Sequence, residues 1–203
     1  RMTAVGTAMR VKLLCDNKPL TALFPGVQCH GRFTSLIADI KCGAHRDLGS
    51  PAVDGHQIIT SRQVAKLDVL DVHLLKLDLN RVYTRLHANG TYGVDSRVVL
   101  WQDNQLVVIL FQNKLTLLRG SMGYVDCKEV EKMLKASQLL KDQLQKLQEL
   151  AGTRVVVVPV FVSNQKLGGS AELPPGDYGL YHYGNVDALF PSYKHRLCPR
   201  SSQ

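Results

Sequence analysis

The sequence predicts an α/β protein, in which helices cover both faces of a mixed sheet and an N-terminal extension packs on this core. Three patterns predict this fold class. A helix-period segment comes first, three β-rich segments follow, and a long amphipathic helix then leads into a valine-rich strand. A strand, a helix and a second strand in this order form a crossover unit, which makes the two strands parallel and should be right-handed. We assign the extension to residues 1–58 and the core to residues 59–203.

The first core element is a helix predicted over residues 60–77. Thr60 or Ser61 can cap its start. Its apolar residues recur at spacings of three and four, at Val64, Leu67, Leu70, Leu74 and Leu77. Residues 75–79 alternate between apolar and polar, so a strand is the competing interpretation, and we favour the helix. In the extension, residues 33–40 are predicted to form a strand or a short helix.

Three strands are expected to form an antiparallel meander. Residues 81–87 are rich in β-formers and are followed by Asn89-Gly90, the strongest short hairpin signal in a sequence. Residues 93–101 and 106–114 are two further β-rich runs, and the polar break between them predicts a second hairpin. The strand that contains Asp95 therefore lies in the middle of the meander.

The register of the second hairpin follows from its length. Either residues 102–105 form the loop or only residues 103–104 turn, and both choices place Asp95 opposite Gln112. Directly opposed residues project on the same side of a sheet, and so do residues two apart on one strand. Asp95, Gln112 and Lys114 are therefore predicted to share one face. A carboxylate, an amide oxygen and an ammonium at the end of a buried hairpin indicate a site, although strand ends also carry polar residues without any function.

The clearest helix of the chain follows the hairpin. Asp126 and Glu129 predict a capping box at its start. Its apolar positions continue from Val130 to Ala151, and Gly152 is predicted to be its C-terminal cap.

The segment after this helix is predicted to complete the sheet. Residues 154–162 have the continuous apolar pattern of a strand in a parallel sheet. Pro159 removes one ladder donor, so it predicts a bulge or a sheet edge at that point. Residues 178–183 are predicted to form a late strand, and residues 186–190 a closing helical turn.

The composition points to a polyanionic partner inside the cell. The 25 lysines and arginines exceed the 17 aspartates and glutamates, which gives a formal net charge of +8. Nucleic acid is the partner that this balance favours over an ordinary solvated surface, and we take DNA as the first choice although the charge does not distinguish it from RNA. The residues predicted to contact it are Arg85, Arg97, Arg119, Lys194 and Arg196.

The cysteines and the hydropathy give the expected compartment. Five irregularly spaced cysteines fit a reducing, cytoplasmic or nuclear environment better than a disulfide framework. A zinc site among the N-terminal cysteines and histidines is a weaker alternative, because no paired CxxC spacing supports it. No run is long and apolar enough to span a bilayer, so we expect no membrane association.

With this order of elements, the sequence resembles the PD-(D/E)xK nuclease superfamily, whose common core is αβββαβ. The resemblance covers residues 61–162. Gly93-Val94-Asp95 matches the metal-binding aspartate at the start of the second strand, and Gln112-Asn113-Lys114 matches the (D/E)xK end of the third in its QxK variant. A looser similarity is to the C-terminal nuclease-like domains of Crinkler effectors and retrotransposon hot spot proteins.

The resemblance implies a restriction-endonuclease-like fold and a phosphodiesterase that depends on Mg²⁺ or Mn²⁺. Asp95 is implied to be the anchoring metal ligand, Gln112 to give an amide oxygen and Asn113 a backbone carbonyl. Lys114 is implied to orient the attacking water and to stabilise developing negative charge.

A further acidic ligand often comes from the first helix in this superfamily. The predicted helix has no Glu, so Asp68, Asp71 or Asp78 must take that place, and we select Asp71. Gln112 is neutral where the family often has an acid, so we expect weak metal affinity. Two functions remain open: a metal-dependent endonuclease or exonuclease, and an inactive module of the same fold that binds nucleic acid or a protein, such as a preceding domain.

Overall fold

The structure is a computed structural model, and it describes residues 19–38, 40, 83–86, 94–102, 104–114, 123–146, 150–168 and 172–189. These residues form a six-stranded mixed sheet with helices on both faces, which confirms the predicted α/β class. The strands are β1 (Gln28–His30), β2 (Tyr83–Leu86), β3 (Ser96–Gln102), β4 (Gln105–Lys114), β5 (Arg154–Ser163) and β6 (Tyr178–Tyr181). A 3-10 turn (Leu20–Leu23) and the helices α1 (Phe33–Ala38), α2 (Cys127–Gln145) and α3 (Val186–Leu189) accompany them.

The order of strands in the sheet is β1-β6-β5-β4-β3-β2, and β3 lies between β2 and β4 as predicted. Neighbours β2–β3 and β3–β4 are antiparallel, whereas β4–β5 and β5–β6 are parallel. Helix α2 connects the parallel strands β4 and β5, so the predicted crossover unit is confirmed. The helix predicted over residues 60–77 lies outside the described residues.

The predicted register of the β3–β4 hairpin is confirmed for residues 96–102 of β3, but not for Asp95, which lies outside the regular pairing. The pairs run from Ser96 with Phe111 to Gln102 with Gln105, so the shorter of the two predicted loops is the one that forms. Asn104 has φ +60, a left-handed conformation that asparagine tolerates better than most residues and that two-residue hairpin loops require. Its side-chain amide donates to the carbonyl of Gly152 at 2.9 Å, which ties this turn to the segment before β5.

The two faces of the hairpin pack against different layers. Residues Val107, Ile109 and Phe111 of β4 belong to the core that includes the 3-10 turn, α1 and α3. Residues Leu106, Val108 and Leu110 pack against α2. The face that continues through Gln112 to Lys114 is therefore the face that α2 covers.

Helix α2 starts where it was predicted but ends earlier. Asp126 is its N-cap, and the carboxylate accepts from the Lys128 N–H at 2.9 Å. The helix ends at Gln145, so the prediction of Gly152 as its cap is wrong. Gly152 instead has φ +78 in the turn before β5, a backbone conformation that favours glycine.

The strand after α2 shows what Pro159 does. Strand β5 pairs with β4 along its whole length, including Pro159 with Leu110, so no bulge forms. Strand β6 pairs with β5 only from Val160 onwards. The predicted edge is confirmed, because Pro159 is the last residue before a second partner strand begins. The late strand and the closing helical turn are confirmed as β6 and α3.

Residues 19–40 belong to the same sheet and core as the residues near the C-terminus. Strand β1 pairs with β6, and residues 33–38 are helical, which decides between the two predicted alternatives. The Tyr181 hydroxyl donates to the Pro25 carbonyl at 3.1 Å, and the Asn185 amide donates to the Gly26 carbonyl at 3.0 Å. The proposed boundary between residues 58 and 59 lies outside the described residues. None of the helices in the described part of the chain is long and apolar enough to cross a membrane.

Candidate metal and phosphate site

Asp95 lies where the regular pairing of β3 with β4 stops. Its N–H donates to the Phe111 carbonyl at 2.8 Å, although Phe111 is already the partner of Ser96. Two residues therefore oppose one, as in a β-bulge, and such bulges are common next to active sites. Val94 packs with the α2-side cluster, where strict alternation would have put it on the other face.

The bend changes what Asp95 contacts. Direct opposition to Gln112 was predicted, but the Asp95 carboxylate accepts the backbone N–H of Asn113 at 2.6 Å. The carboxylate thus occupies the position next to β4 that a backbone carbonyl of a longer β3 would fill. Asp95 is half-buried, and its carboxylate is held at Asn113, the second-last residue of β4.

Gln112 is the buried polar residue of the site. Its side chain is 3% exposed, and its Oε1 has no hydrogen-bond partner in the part of the chain that the structure describes. An unpaired buried carbonyl oxygen costs about 1–3 kcal/mol, so a ligand that this oxygen could bind would relieve a real penalty.

Lys114 reaches from the end of β4 to the first turn of α2. Its Nζ lies 2.8 Å from Oε2 of Glu129, and Lys132 Nζ lies 2.6 Å from Oε1 of the same carboxylate. The sequence pattern had assigned Glu129 to a capping box, so its contact with Lys114 was missed. The signal was the crossover itself, because the first turn of a helix that follows a strand starts at that strand's carboxyl end.

The two carboxyl groups have opposite electrostatic environments. Burial raises the pKa of Asp95 above its ordinary value, and the Asn113 N–H and the Lys114 charge oppose this shift. Hydrogen bonds from Lys114 and then Lys132 lower the pKa of Glu129. A desolvated carboxylate favours a cation as its neighbour, since the cation restores the lost solvation. Glu129 already has two cations, whereas Asp95 accepts from an amide.

The predicted nucleic-acid contacts fare differently. Arg97 is 1% exposed on β3, the strand next to the edge strand β2, so the prediction that it contacts nucleic acid on the surface is wrong. Arg85 lies on β2 opposite Arg97. The remaining predicted residues lie outside the described residues: Asp71, Arg119, Lys194 and Arg196.

The residues present are of the donor type that a hard cation prefers. Asp95 offers a carboxylate, and Gln112 a buried amide oxygen without a partner among the described residues, and both are oxygen donors of the kind Mg²⁺ prefers. Within the described ranges there is no cluster of three or more His, Cys, Asp or Glu side chains. In the described part of the site Asp95 is the carboxylate on offer, and Asp71, the further acid selected from the sequence, lies outside the described residues.

The position of the site in the sheet is that of a binding site in open α/β proteins. Lys114 ends β4 and pairs with Ser163, which ends the parallel strand β5, and the Ser163 hydroxyl donates to the Lys114 carbonyl at 3.2 Å. Ligands of such sheets bind outside the carboxyl ends of the parallel strands. Comparison with known proteins adds no further indication: no family model, no curated protein and no solved structure matches this chain.

Proposed function

We propose that this protein is a metal-dependent nuclease domain that hydrolyses phosphodiester bonds of nucleic acid, with DNA as its substrate. The observation that carries the proposal is the half-buried Asp95 carboxylate held at Asn113, which lies between the charged Lys114 and Gln112, whose buried amide oxygen has no hydrogen-bond partner in the described part of the chain. The sequence resemblance to PD-(D/E)xK nucleases supports the same residues in the same roles.

The metal would be Mg²⁺ or Mn²⁺, held by Asp95, Gln112 and the Asn113 carbonyl, with Asp71 as the further acid selected from the sequence. When bound, such an ion polarises a phosphate oxygen and lowers the pKa of a coordinated water. The pKa of Asp95 is raised by burial in spite of its hydrogen bond from the Asn113 N–H, which agrees with a desolvated carboxylate that a cation would stabilise.

Lys114 supplies positive charge next to these oxygen donors. Its ammonium has three N–H donors, so the Glu129 carboxylate leaves others for a water molecule or a phosphate oxygen. A positioned ammonium stabilises the negative charge that develops as a phosphodiester bond breaks. Lys114 would also orient the attacking water, which is the role that the family resemblance implies.

The test is cleavage of plasmid and single-stranded substrates with Mg²⁺, Mn²⁺ or EDTA, by the wild-type protein and by Lys114→Met. We expect metal-dependent cleavage that Lys114→Met slows by about two to three powers of ten, since losing one electrostatic stabiliser typically costs that much. Lys135→Met is the matched control. Lys135 is an exposed lysine of α2, so this variant should cleave DNA at the wild-type rate. Equal rates in both variants would remove Lys114 from the mechanism.

The second candidate is an inactive module of the same fold that binds nucleic acid without cutting it. The observation in its favour is the small number of anionic ligands in the described part of the site. Binding of DNA without cleavage under any of the metal conditions would select this function over the first.

A further inference from the structure

Lys132 of α2 joins the candidate site through its ion pair with Glu129. It lies three residues after Glu129 on the helix, and both lysines approach the same carboxylate. Each carboxylate oxygen is taken by one ammonium, Oε2 by Lys114 at 2.8 Å and Oε1 by Lys132 at 2.6 Å. The two ammonium groups therefore bracket a single oxyanion.

This arrangement is suited to a phosphate group as well as to a carboxylate. A backbone phosphate also carries one negative charge and presents two non-bridging oxygens on the same atom. Lysine is a common phosphate ligand, since its ammonium acts as a compact charge with several donors. We propose that Lys114 and Lys132 form a subsite for one phosphate of the nucleic-acid backbone, and that Glu129 occupies this subsite in the free protein.

The exposure of the three side chains favours exchange with an incoming anion. The lysine side chains are 41% and 43% exposed, whereas Glu129 is 18% exposed. A phosphate from solvent can therefore reach both ammonium groups from their open side. A displaced Glu129 would remain in the first turn of α2, where the helix dipole stabilises a negative charge.

The subsite assignment rests on the proposed function only for the identity of its ligand. Lys114 lies at the end of β4 next to the oxygen donors of the metal site, so a phosphate bound to it lies beside them too. Lys132 would then fix the substrate rather than take part in the reaction.

The test is the salt dependence of binding to a fluorescently labelled DNA duplex, measured by anisotropy in EDTA so that no cleavage occurs. Each phosphate contact contributes about 0.9 to the slope of log K against log salt concentration on duplex DNA. We expect Lys132→Met to reduce the slope by about this amount. Lys135→Met, one turn further along the same helix face, has the same loss of charge and should leave the slope nearly unchanged. Equal slopes in the two variants would overturn the subsite.

Glu129→Gln gives a second, independent outcome. Glu129→Gln removes a negative charge that lies at the proposed phosphate position, whereas Glu131→Gln removes a negative charge elsewhere on the helix. We therefore expect Glu129→Gln to tighten DNA binding by about fivefold more than Glu131→Gln does. Glu131 is an exposed residue of the same helix, so its variant corrects for the general change in net charge. Weaker or unchanged binding in Glu129→Gln, relative to this control, would mean that Glu129 supports the lysines instead of competing, and would overturn the proposal.

Cleavage assays separate this inference from the proposed function. A protein that never cleaves but shows the Lys132→Met slope change keeps the subsite and loses the nuclease activity. A protein that cleaves, with no difference between Lys132→Met and Lys135→Met, keeps the activity and loses the subsite.

Discussion

The two ends of the β3–β4 hairpin carry similar residues and differ in what surrounds them. Each end has a glutamine whose Oε1 is buried without a hydrogen-bond partner in the described structure, Gln105 at the turn and Gln112 at the other end. At the turn, the side-chain amide of Asn104 donates to the Gly152 carbonyl. The backbone carbonyl of Asn104 accepts the Arg154 N–H at 3.1 Å. The turn is therefore fastened to the rest of the sheet by neutral hydrogen bonds.

The opposite end of the hairpin, which holds Gln112, also carries charged side chains. Asp95 is a half-buried carboxylate with a raised pKa, and Lys114 and Glu129 form an ion pair within the same edge of the sheet. An unpartnered amide oxygen alone therefore does not mark a site, because both ends have one. The desolvated Asp95 carboxylate at the same end of the hairpin as Gln112 is what sets that end apart.

The largest expected difference between the two ends is in catalysis. Asp95→Asn keeps an acceptor for the Asn113 N–H but removes the charge that anchors the cation, so we expect cleavage to fall by at least about a thousandfold. Asn104→Gly at the turn keeps the backbone conformation and should cleave like the wild type. Initial rates on plasmid DNA with Mg²⁺ measure both, and equal rates would show that the polar ends of the hairpin have the same, purely structural role.

A smaller difference is expected in metal binding. Gln112→Glu places a carboxylate where the amide oxygen lies, which should raise Mn²⁺ affinity by on the order of tenfold and allow cleavage at lower Mg²⁺. Gln105→Glu is the matched change at the turn and should leave affinity unchanged. Calorimetric titration of Mn²⁺ into both variants decides this. Because Gln112 is buried, its Glu variant should also melt lower in EDTA and recover with Mn²⁺.

The outcomes of that titration also separate the two candidate functions. Tighter metal binding together with cleavage supports the nuclease, whereas tighter binding without any cleavage supports the inactive module. The same affinity in Gln112→Glu and in the wild type would contradict the metal site.

Substitutions of Asn104 at the turn should change the stability of the protein and not its cleavage rate. In Asn104→Ala, alanine must adopt φ +60, which asparagine tolerates better, and the hydrogen bond to the Gly152 carbonyl is lost. We expect this to lower the free energy of unfolding by about 1–2 kcal/mol. Asn104→Gly should cost less, because glycine adopts this conformation freely. Urea denaturation measures both variants, and a change in cleavage rate at equal folded fraction would contradict a structural role for the turn.

The smallest expected effect is the pH dependence of the charged end. The lowered pKa of Glu129 means that the folded protein binds its proton less tightly than the unfolded chain, so the carboxylate stabilises the fold above the ordinary value of 4.5. This contribution, at most about 1 kcal/mol for partly exposed pairs, is lost as pH falls below 4.5 through the folded pKa. The difference in melting temperature between wild type and Glu129→Gln should therefore shrink between pH 6 and pH 3. A difference in melting temperature that does not change with pH would contradict the ion pairs of Glu129. The loss of melting temperature in Asn104→Ala should not change over the same pH range, because this change removes no charge.

The sequence determined the register of the hairpin but not the bend at Asp95. Register follows from counting, since every pair of an antiparallel ladder has the same sum of residue numbers and a symmetric loop leaves this sum unchanged. The bulge at Asp95 is a local departure from strict alternation, and no alternation pattern encodes it.

Two residues of the site were misjudged for the same physical reason. Glu129 fits a local capping pattern, but the residues that hold it include Lys114, fifteen positions earlier, which only the crossover brings close. Arg97 was counted with the surface charges, because a sequence gives its charge and not its burial on β3. Both outcomes are set by tertiary contacts, whereas the strand order and the start of α2 are set by local patterns.

The pairing of β1 with β6 also has a consequence for how the chain folds as it is made. Gln28 pairs with Leu180, so 152 residues separate the two partners. At a synthesis rate of roughly 5–20 residues per second, β6 is made about 8–30 seconds after β1. During that time its apolar companions in the 3-10 turn and α1 lack the strand that covers them, and the long loop must close before this contact stabilises anything. A growing chain can therefore complete this edge of the sheet only after every other described strand has been made, and of the described core only α3 follows it.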